Sequence, residues 1–351
     1  MRNFKDHIIS DTSTIKKALE RLDSLAKDAI IFIVDNSNKL LGSLTDGDVR
    51  RGLLKGITIN DLVTKIIQDS PKYIQKENYN IKKIIDFRDN NYRILPVINE
   101  KNKIVNVINF RLLRSYLPVD AVIMAGGRGA RLKPLTNTIP KPLLKVGDKT
   151  IMEHNVDRLV EFGIDDFWFS VNYLGDKIED FFGSGRNKNI SIKYVWEDKP
   201  LGTIGALSKI DDFKHEDILV TNSDILTNLD YEQFYLDFKN SNADLAIASI
   251  PYKVNIPYAV LEQDVDGTIR GLKEKPTYTY YSNGGIYLIK KSVLNLIPKK
   301  SFFNATDLID ELISRNKKVV SFSFYGYWLD IGKHDDYDKA KTDIKNLNFS
   351  K

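Results

Sequence analysis

The sequence predicts an α/β protein in two parts, a duplicated α/β module followed by a mainly parallel sheet with helices on both faces. Three observations carry this. A pattern of helix, strand, turn and strand recurs at a constant offset of 64 residues in the first third. Strands and helices alternate after Pro118, as they do in parallel sheets. An apolar run from Ala121 to Ala125 empties into Gly126-Gly127-Arg128-Gly129-Ala130-Arg131, a loop whose glycines let backbone N–H groups approach an anion.

At 351 residues the chain is long enough for two domains or three. Its net charge of +5 is spread over mixed signs, and no Lys/Arg block marks a nucleic-acid footprint. The absence of cysteine excludes disulfides, thiolate metal sites and cysteine nucleophiles, and fits a reducing compartment. No apolar core of signal-peptide length follows Met1-Arg2-Asn3-Phe4-Lys5-Asp6, and the longest apolar runs, such as 29–34, are strand-sized. The expectation is a cytoplasmic protein with no membrane or nucleic-acid partner.

In chain order, Ile15, Ala18, Leu19, Leu22 and Leu25 lie on one helical face over 12–26, with Asp11 or Thr12 as N-cap. A strand at 29–34, a turn at 35–39, a strand at 40–45 and a short helix at 46–54 complete the unit. The second copy places a helix at 78–88, strands at 94–98 and 104–109, and a turn at 99–103. Val34-Asp35 matches Ile98-Asn99 and Thr45 matches Asn109 at the same offset. A duplicated helix–strand–strand–helix unit reads as two copies sharing a core. On Gly42-Ser43-Leu44-Thr45-Asp46-Gly47-Asp48, residues 1–118 resemble a tandem CBS-domain pair, with copies at about 1–57 and 58–118. The resemblance implies an adenine nucleotide held by Thr45 at phosphate and Asp48 at ribose. Asn109 and Leu112 replace that pair in the second copy. A regulatory nucleotide site and a purely dimerising module both remain open.

Leu117-Pro118 ends the module, since proline disfavours helix at and before its position. The second part, 119–351, places strands at 121–125, 166–171, 192–196 and 218–222, and helices at 151–162, 174–181 and 203–209. Ligands collect beyond the carboxyl ends of such strands. The glycine loop, Asn172, Glu197 and Asn222-Ser223-Asp224 all fall there.

Lys133 and Lys141 add fixed cations, and Lys141 stands between Pro140 and Pro142. A nucleoside triphosphate needs such a loop, because its charge must be neutralised while it is held for attack. The loop is neither a P-loop nor the dinucleotide fingerprint. Asp224 alone would read as a cap or turn residue. Asp330, after another apolar strand in Trp328-Leu329-Asp330-Ile331-Gly332, supplies a second carboxylate, and the pair with the loop reads as a magnesium (or manganese) site. Glu274-Lys275-Pro276 offers a carboxylate for sugar hydroxyls and a cation for a phosphate. Asn283-Gly284-Gly285 offers a backbone that a sugar ring can approach.

In this order the motifs, with Pro200-Leu201-Gly202-Thr203, resemble the sugar-phosphate nucleotidyltransferase family over about 119–345. The resemblance implies a Rossmann-like, GT-A-like mixed sheet. It assigns the loop (Ala125, Gly126, Gly127, Gly129), Arg131, Gly202 and Thr203 to the nucleotide, and Lys141 to the α-phosphate and sugar phosphate. It gives Lys275 the incoming phosphate, Glu274, Asn172, Asn283 and Gly285 the sugar, and Asp224 with Asp330 the metal. Substrates would be an NTP and a sugar 1-phosphate, and the enzyme a homo-oligomer.

Glutamine commonly stands at the position of Glu197 in the thymidylyl and uridylyl relatives. A carboxylate only accepts hydrogen bonds, which suits the donor edge of guanine and implies GTP; alternatively Glu197 only caps the next helix and main-chain groups choose the base. The CBS pair ahead of the catalytic domain resembles the guanylyltransferases of bacterial legionaminic acid synthesis, implying glucosamine 1-phosphate. Mannose or another hexose 1-phosphate, or a uridylyl, thymidylyl or cytidylyl transfer, are alternatives. A non-catalytic nucleotide sensor is the reading from another class.

Overall fold

The structure is a computed structural model that describes residues 3–346; Met1 and Arg2, within the stretch tested for a leader, lie outside the described residues. The first copy runs β1 (Ile8–Ser10), α1 (Ile15–Leu25), β2 (Ile30–Val34), β3 (Leu40–Thr45) and α2 (Asp46–Leu54). The second runs β4 (Ile74–Gln75), α3 (Ile81–Asp89), β5 (Ile94–Ile98) and β6 (Ile104–Asn109). Each copy makes a three-stranded sheet with one parallel and one antiparallel pair, β1-β2-β3 and β4-β5-β6. The duplication extends to detail. A register shift falls at Ile33/Val34 in one copy and at Val97/Ile98 in the other. In the turns, Asp35 Oδ1 accepts the Ser37 and Lys39 N–H groups, as Asn99 Oδ1 accepts those of Lys101 and Lys103.

Three expectations need correction here. The N-cap of α1 is Thr14, whose side chain accepts the Lys17 N–H at 3.4 Å. A bridge to Leu62 keeps Thr14 extended, so the helix begins after the residues whose local chemistry favours a cap. The short strands β1 and β4 also escape the pattern, being only three and two residues long. Finally, the second copy lacks the closing helix. In the first copy Asp48 accepts the Thr45 N–H at 2.9 Å and closes a capping box. Leu112 has no oxygen to do this, so Asn109 caps a turn through the Arg111 N–H and the chain leads on into the next domain.

That domain opens with β7 (Val119–Met124), a small hairpin of β8 (Lys145–Val146) and β9 (Lys149–Thr150), and α4 (Ile151–Glu161). It continues through β10 (Asp166–Val171), α5 (Gly175–Phe182), β11 (Ser191–Trp196), β12 (Asp217–Asn222), β13 (Ile225–Thr227) and α6 (Tyr231–Ser241). The strands β14 (Leu245–Asn255), β15 (Val260–Gln263), β16 (Ile269–Lys273) and β17 (Thr277–Lys290) follow. The fold ends with α7 (Ala305–Ser314), β18 (Val319–Ser323), β19 (Trp328–Asp330) and α8 (His334–Asp343). Seven strands form one mixed sheet, β11-β10-β7-β12-β17-β14-β18, in which only β17 runs antiparallel to its neighbours.

The helix expected at 203–209 is a 3-10 turn, Gly205–Lys209. Gly202 (φ 81°) and Ile204 (φ −142°) lie outside the helical region, so no helix runs through this start, and the Ile204 and Gly205 N–H groups go to the Phe303 carbonyl. Asn283-Gly284-Gly285, expected before a strand, lies inside β17.

The two parts are welded together. Ile84, Phe87 and Ile108 of the second copy share one apolar cluster with Val119, Val156 and Phe162 of the sheet domain. Arg88 donates to both carboxylate oxygens of Glu232 at 3.0 Å. Asp165 accepts from Lys76 at 3.2 Å, Asn106 at 3.1 Å and Tyr116 at 2.7 Å. The first copy keeps a core of its own around Ile15, Leu22 and Ile31.

Candidate active site

Four parallel strands deliver the site. β7, β10, β11 and β12 end side by side at Met124, Val171, Trp196 and Asn222, so the loops after them share one rim. A cleft of about 1110 Å³, counted out into its open mouth, lies on this rim. Its lining includes Gly126, Gly127, Gly129, Arg131, Lys141, Glu197, Gly202, Thr203 and Asp224. The loop must carry glycine at 126, where a Cβ would stand 2.9 Å from Glu197 Oε1. Ala125 is buried behind the loop, its N–H bonded to the Ser170 carbonyl at 2.8 Å.

Lys141 follows Pro140 in a short 3-10 turn; it is buried and forms an ion pair with Asp224. The other oxygen of Asp224, Oδ1, is buried with no hydrogen-bond partner. Asp330 is brought beside it by backbone: β13 and β19 pair with Ile225 opposite Asp330, and the Ile331 N–H donates to the Asp224 carbonyl at 3.0 Å. Crowding by protein and then the nearby Asp224 charge push the Asp330 carboxyl above its ordinary pKa, with Lys141 and Arg131 opposing. The Arg131 guanidinium lies over Gly332, 3.4 Å from where a Cβ would be.

Two adjacent carboxylates, one with an orphaned oxygen, suit a hard cation that takes its remaining ligands from phosphate and water. Among the described residues no group of three or more His, Cys, Asp or Glu side chains forms a self-sufficient metal cage. The donor set therefore fits a cation bound together with a phosphorylated substrate.

Glu197 is buried at the end of β11. Its Oε1 accepts from the Ser170 hydroxyl at 2.5 Å and its Oε2 from the Leu201 N–H at 2.9 Å. Asn172, expected at the sugar, donates to the Glu197 carbonyl and packs beside Gly126. Thr203 lines the cleft while its hydroxyl accepts the Ala305 N–H at the start of α7. Gly285 backs onto Asn222 in β12, and Asn283 Oδ1 accepts the Gly285 N–H at 2.9 Å. Glu274 and Lys275 stand apart. They are exposed on the turn between β16 and β17 and are not among the cleft's lining residues. In the N-terminal module both Thr45 and Asp48 are engaged: Asp48 accepts from the Thr45 hydroxyl at 2.6 Å, from Arg51 at 2.5 Å and from Gln68 at 2.7 Å.

Sequence reasoning missed Ser170, Asn155 and Phe302. Asn155 donates to the Ser223 carbonyl at 3.0 Å and so steadies the turn that presents Asp224. Both Ser170 and Asn155 carried a signal, a polar residue inside an apolar strand and on the apolar face of α4. Phe302, exposed at the cleft's mouth, carried none.

A mixed sheet with a glycine loop, two carboxylates and a buried lysine at one strand rim defines a phosphate-handling α/β domain. Residues 120–346 match the nucleotidyl transferase family model, and the chain belongs to that family. Residues 5–55 match the CBS domain model. The chain is 29% identical over 256 residues to a UTP–glucose-1-phosphate uridylyltransferase of Synechocystis, covering 66% of each protein. It is 31% identical to a D-glycero-alpha-D-manno-heptose 1-phosphate guanylyltransferase of Aneurinibacillus thermoaerophilus, covering 65% of this chain and 99% of that one. A solved glucose-1-phosphate thymidylyltransferase candidate from Bacillus anthracis, in complex with sucrose, superposes with a TM-score of 0.53 at 26% identity, covering 66% of this chain and 98% of its own. The chain spans less than two thirds of the length of the curated relatives it matches first. Among the described residues no helix is long and apolar enough to cross a membrane.

Proposed function

We propose that the chain transfers a nucleotidyl group from an NTP, with GTP preferred, to a sugar 1-phosphate, releasing pyrophosphate. The observation that carries this reading is the Lys141–Asp224 ion pair, with Asp330 beside it, in the cleft that the glycine loop also lines. A phosphate oxygen of the sugar 1-phosphate attacks the α-phosphorus of the NTP in line. The α–β bridging bond breaks, and its electron pair leaves with pyrophosphate. The attacking phosphate is already an anion at neutral pH, so no side chain has to remove a proton. The loop N–H groups and Arg131 hold the triphosphate, and Lys141 offsets charge at the α-phosphate as it develops. A divalent cation held by Asp224 and Asp330 would supply further neutralisation of phosphate oxygens. In this reading Lys275 meets the incoming phosphate, and Glu274, Asn283 and Gly285 meet the sugar.

The relatives named above use different bases, so the preference for GTP rests on Glu197. Ser170 and Leu201 hold its carboxylate against the cleft, and each oxygen keeps a further lone pair for a donor edge such as that of guanine. Glucosamine 1-phosphate is the proposed acceptor, on the resemblance of the domain order. Pyrophosphate release across four NTPs and a panel of sugar 1-phosphates, with and without magnesium, tests all of this. Release with GTP and glucosamine 1-phosphate supports it. Release with UTP but not GTP removes the role given to Glu197, and no release with any pair favours a nucleotide sensor.

The N-terminal module is proposed as regulatory or dimerising. A nucleotide at Thr45 and Asp48 would have to replace the Arg51 and Gln68 contacts of Asp48. Addition of AMP, ATP or GTP that leaves both melting temperature and turnover unchanged would remove the regulatory half of that proposal.

A further inference from the structure

Phe302 is the one aromatic side chain among the described residues that line the cleft, and it stands 62% exposed at the mouth. Its backbone is fixed from both sides. The Phe303 N–H donates to the Leu201 carbonyl at 2.9 Å, and the Phe303 carbonyl accepts the Ile204 and Gly205 N–H groups at 3.2 and 3.1 Å. Asn304 Oδ1 accepts the Thr203 N–H at 3.2 Å. The two segments lie so close that a Cβ on Gly202 would stand 2.6 Å from the Phe303 carbonyl oxygen, and one on Gly205 2.9 Å from that of Ser301. The Phe303 ring packs against the apolar core, while the Phe302 ring is held out at the cleft on this brace.

A single exposed aromatic on an open surface needs no function. At the mouth of this cleft two features give Phe302 one. Leu201 links it to the buried Glu197: the Leu201 N–H goes to the Glu197 carboxylate at 2.9 Å, and its carbonyl accepts from the residue after Phe302. Gly126, the loop residue against Glu197 Oε1, presents only backbone, so a base there finds no side-chain face on that residue. A base whose donor edge meets Glu197 still has flat faces to desolvate, and an aromatic ring covers such a face whatever its hydrogen-bond pattern. We propose, on the reading of the cleft as an NTP site, that Phe302 is a specificity-determining residue whose ring stacks on the nucleobase and favours two-ring purines over one-ring pyrimidines. The carboxylate of Glu197 then reads the edge of the base, and the ring of Phe302 reads the area of its face.

Isothermal titration calorimetry of the full chain with magnesium present tests this, using GTP, UTP and inorganic tripolyphosphate, which carries the phosphate charge and no base. Phe302→Ala should weaken GTP by about tenfold and UTP by about threefold, losses in the range of one stacked base, and leave tripolyphosphate within about twofold of wild type. Phe302→Trp should keep GTP within about threefold, since a larger ring also stacks. Equal losses for all three ligands would make Phe302 a purely structural residue, and unchanged GTP affinity in the alanine variant would leave the base to other groups; either result overturns the proposal. So does a tryptophan variant as weak as the alanine one, and equal losses for GTP and UTP overturn the purine preference. Wild type that binds none of the three ligands overturns the NTP reading of the cleft, and the role of Phe302 with it.

Discussion

Asp224 answers to three neighbours at once: Lys141 pairs with one oxygen, the other is orphaned, and Asp330 crowds it from β19. Asp224→Asn keeps the shape and removes the charge, so turnover should fall by at least two orders of magnitude in a pyrophosphate-release assay, as for other electrostatic groups at a transition state. Activity within about threefold of wild type would refute the assignment. Glu197→Gln exchanges an acceptor for a donor–acceptor pair, and should shift the ratio of kcat/KM for GTP over UTP towards UTP by about tenfold, near 1.4 kcal/mol. These residues were legible in the sequence because each follows an apolar strand. The supports of Glu197 were not, since the Ser170 hydroxyl reaches it from a neighbouring strand, 27 positions away.

At the scale of elements, β7 carries the glycine loop at one end and Asp120 near the other. Burial raises the Asp120 carboxyl to about 6, partly offset by the His215 and Lys214 N–H groups that bond its Oδ2. An acid whose folded pKa lies above its unfolded value favours the fold while protonated. Stability through this group is therefore fully present below about pH 4 and is lost as pH rises to about 6, by roughly 3 kcal/mol. Asp120→Asn should flatten that slope in urea melts taken between these pH values; an unchanged slope would place the effect elsewhere. The parallel run of β7, β10, β11 and β12 followed from the alternation of elements. The strand order, the reversed β17 and the exposed ribbon of 250–283 did not, because long-range pairing leaves no local signal. Glu274 and Lys275 sit on the exposed turn between β16 and β17, outside the lining of the cleft to which the motif order assigns them.

For the molecule as a whole, the boundary at Pro118 divides the sequence but not the core. Asp165 joins Lys76, Asn106 and Tyr116 across it, and Arg88 joins Glu232. Asp165→Ala strips an acceptor from three donors, and should cost about 2–4 kcal/mol in denaturant unfolding, since bonds to a charged group contribute about 1.5–3 kcal/mol. Calorimetry of the full chain should show the second copy melting together with the catalytic sheet; a separate transition for the whole of 3–118 would contradict the shared cluster. The short linker signalled close packing of the two parts, but only the fold shows that the second copy is the half that is joined.

The same asymmetry sets an order of events during synthesis. As the chain leaves the ribosome, the cluster around Ile15, Leu22 and Ile31 is complete by Ile66 and can close early, while Phe32 and Val34 wait for Ile94, Ile98 and Ile104 of the second copy. Ile84, Phe87 and Ile108 meet Ile74, Leu95 and Val97 early, but the rest of their cluster arrives only with α4 and the central strands, as late as Leu288. For most of translation one face of the second copy is an apolar surface waiting for its cover, and the catalytic sheet is what finally supplies it.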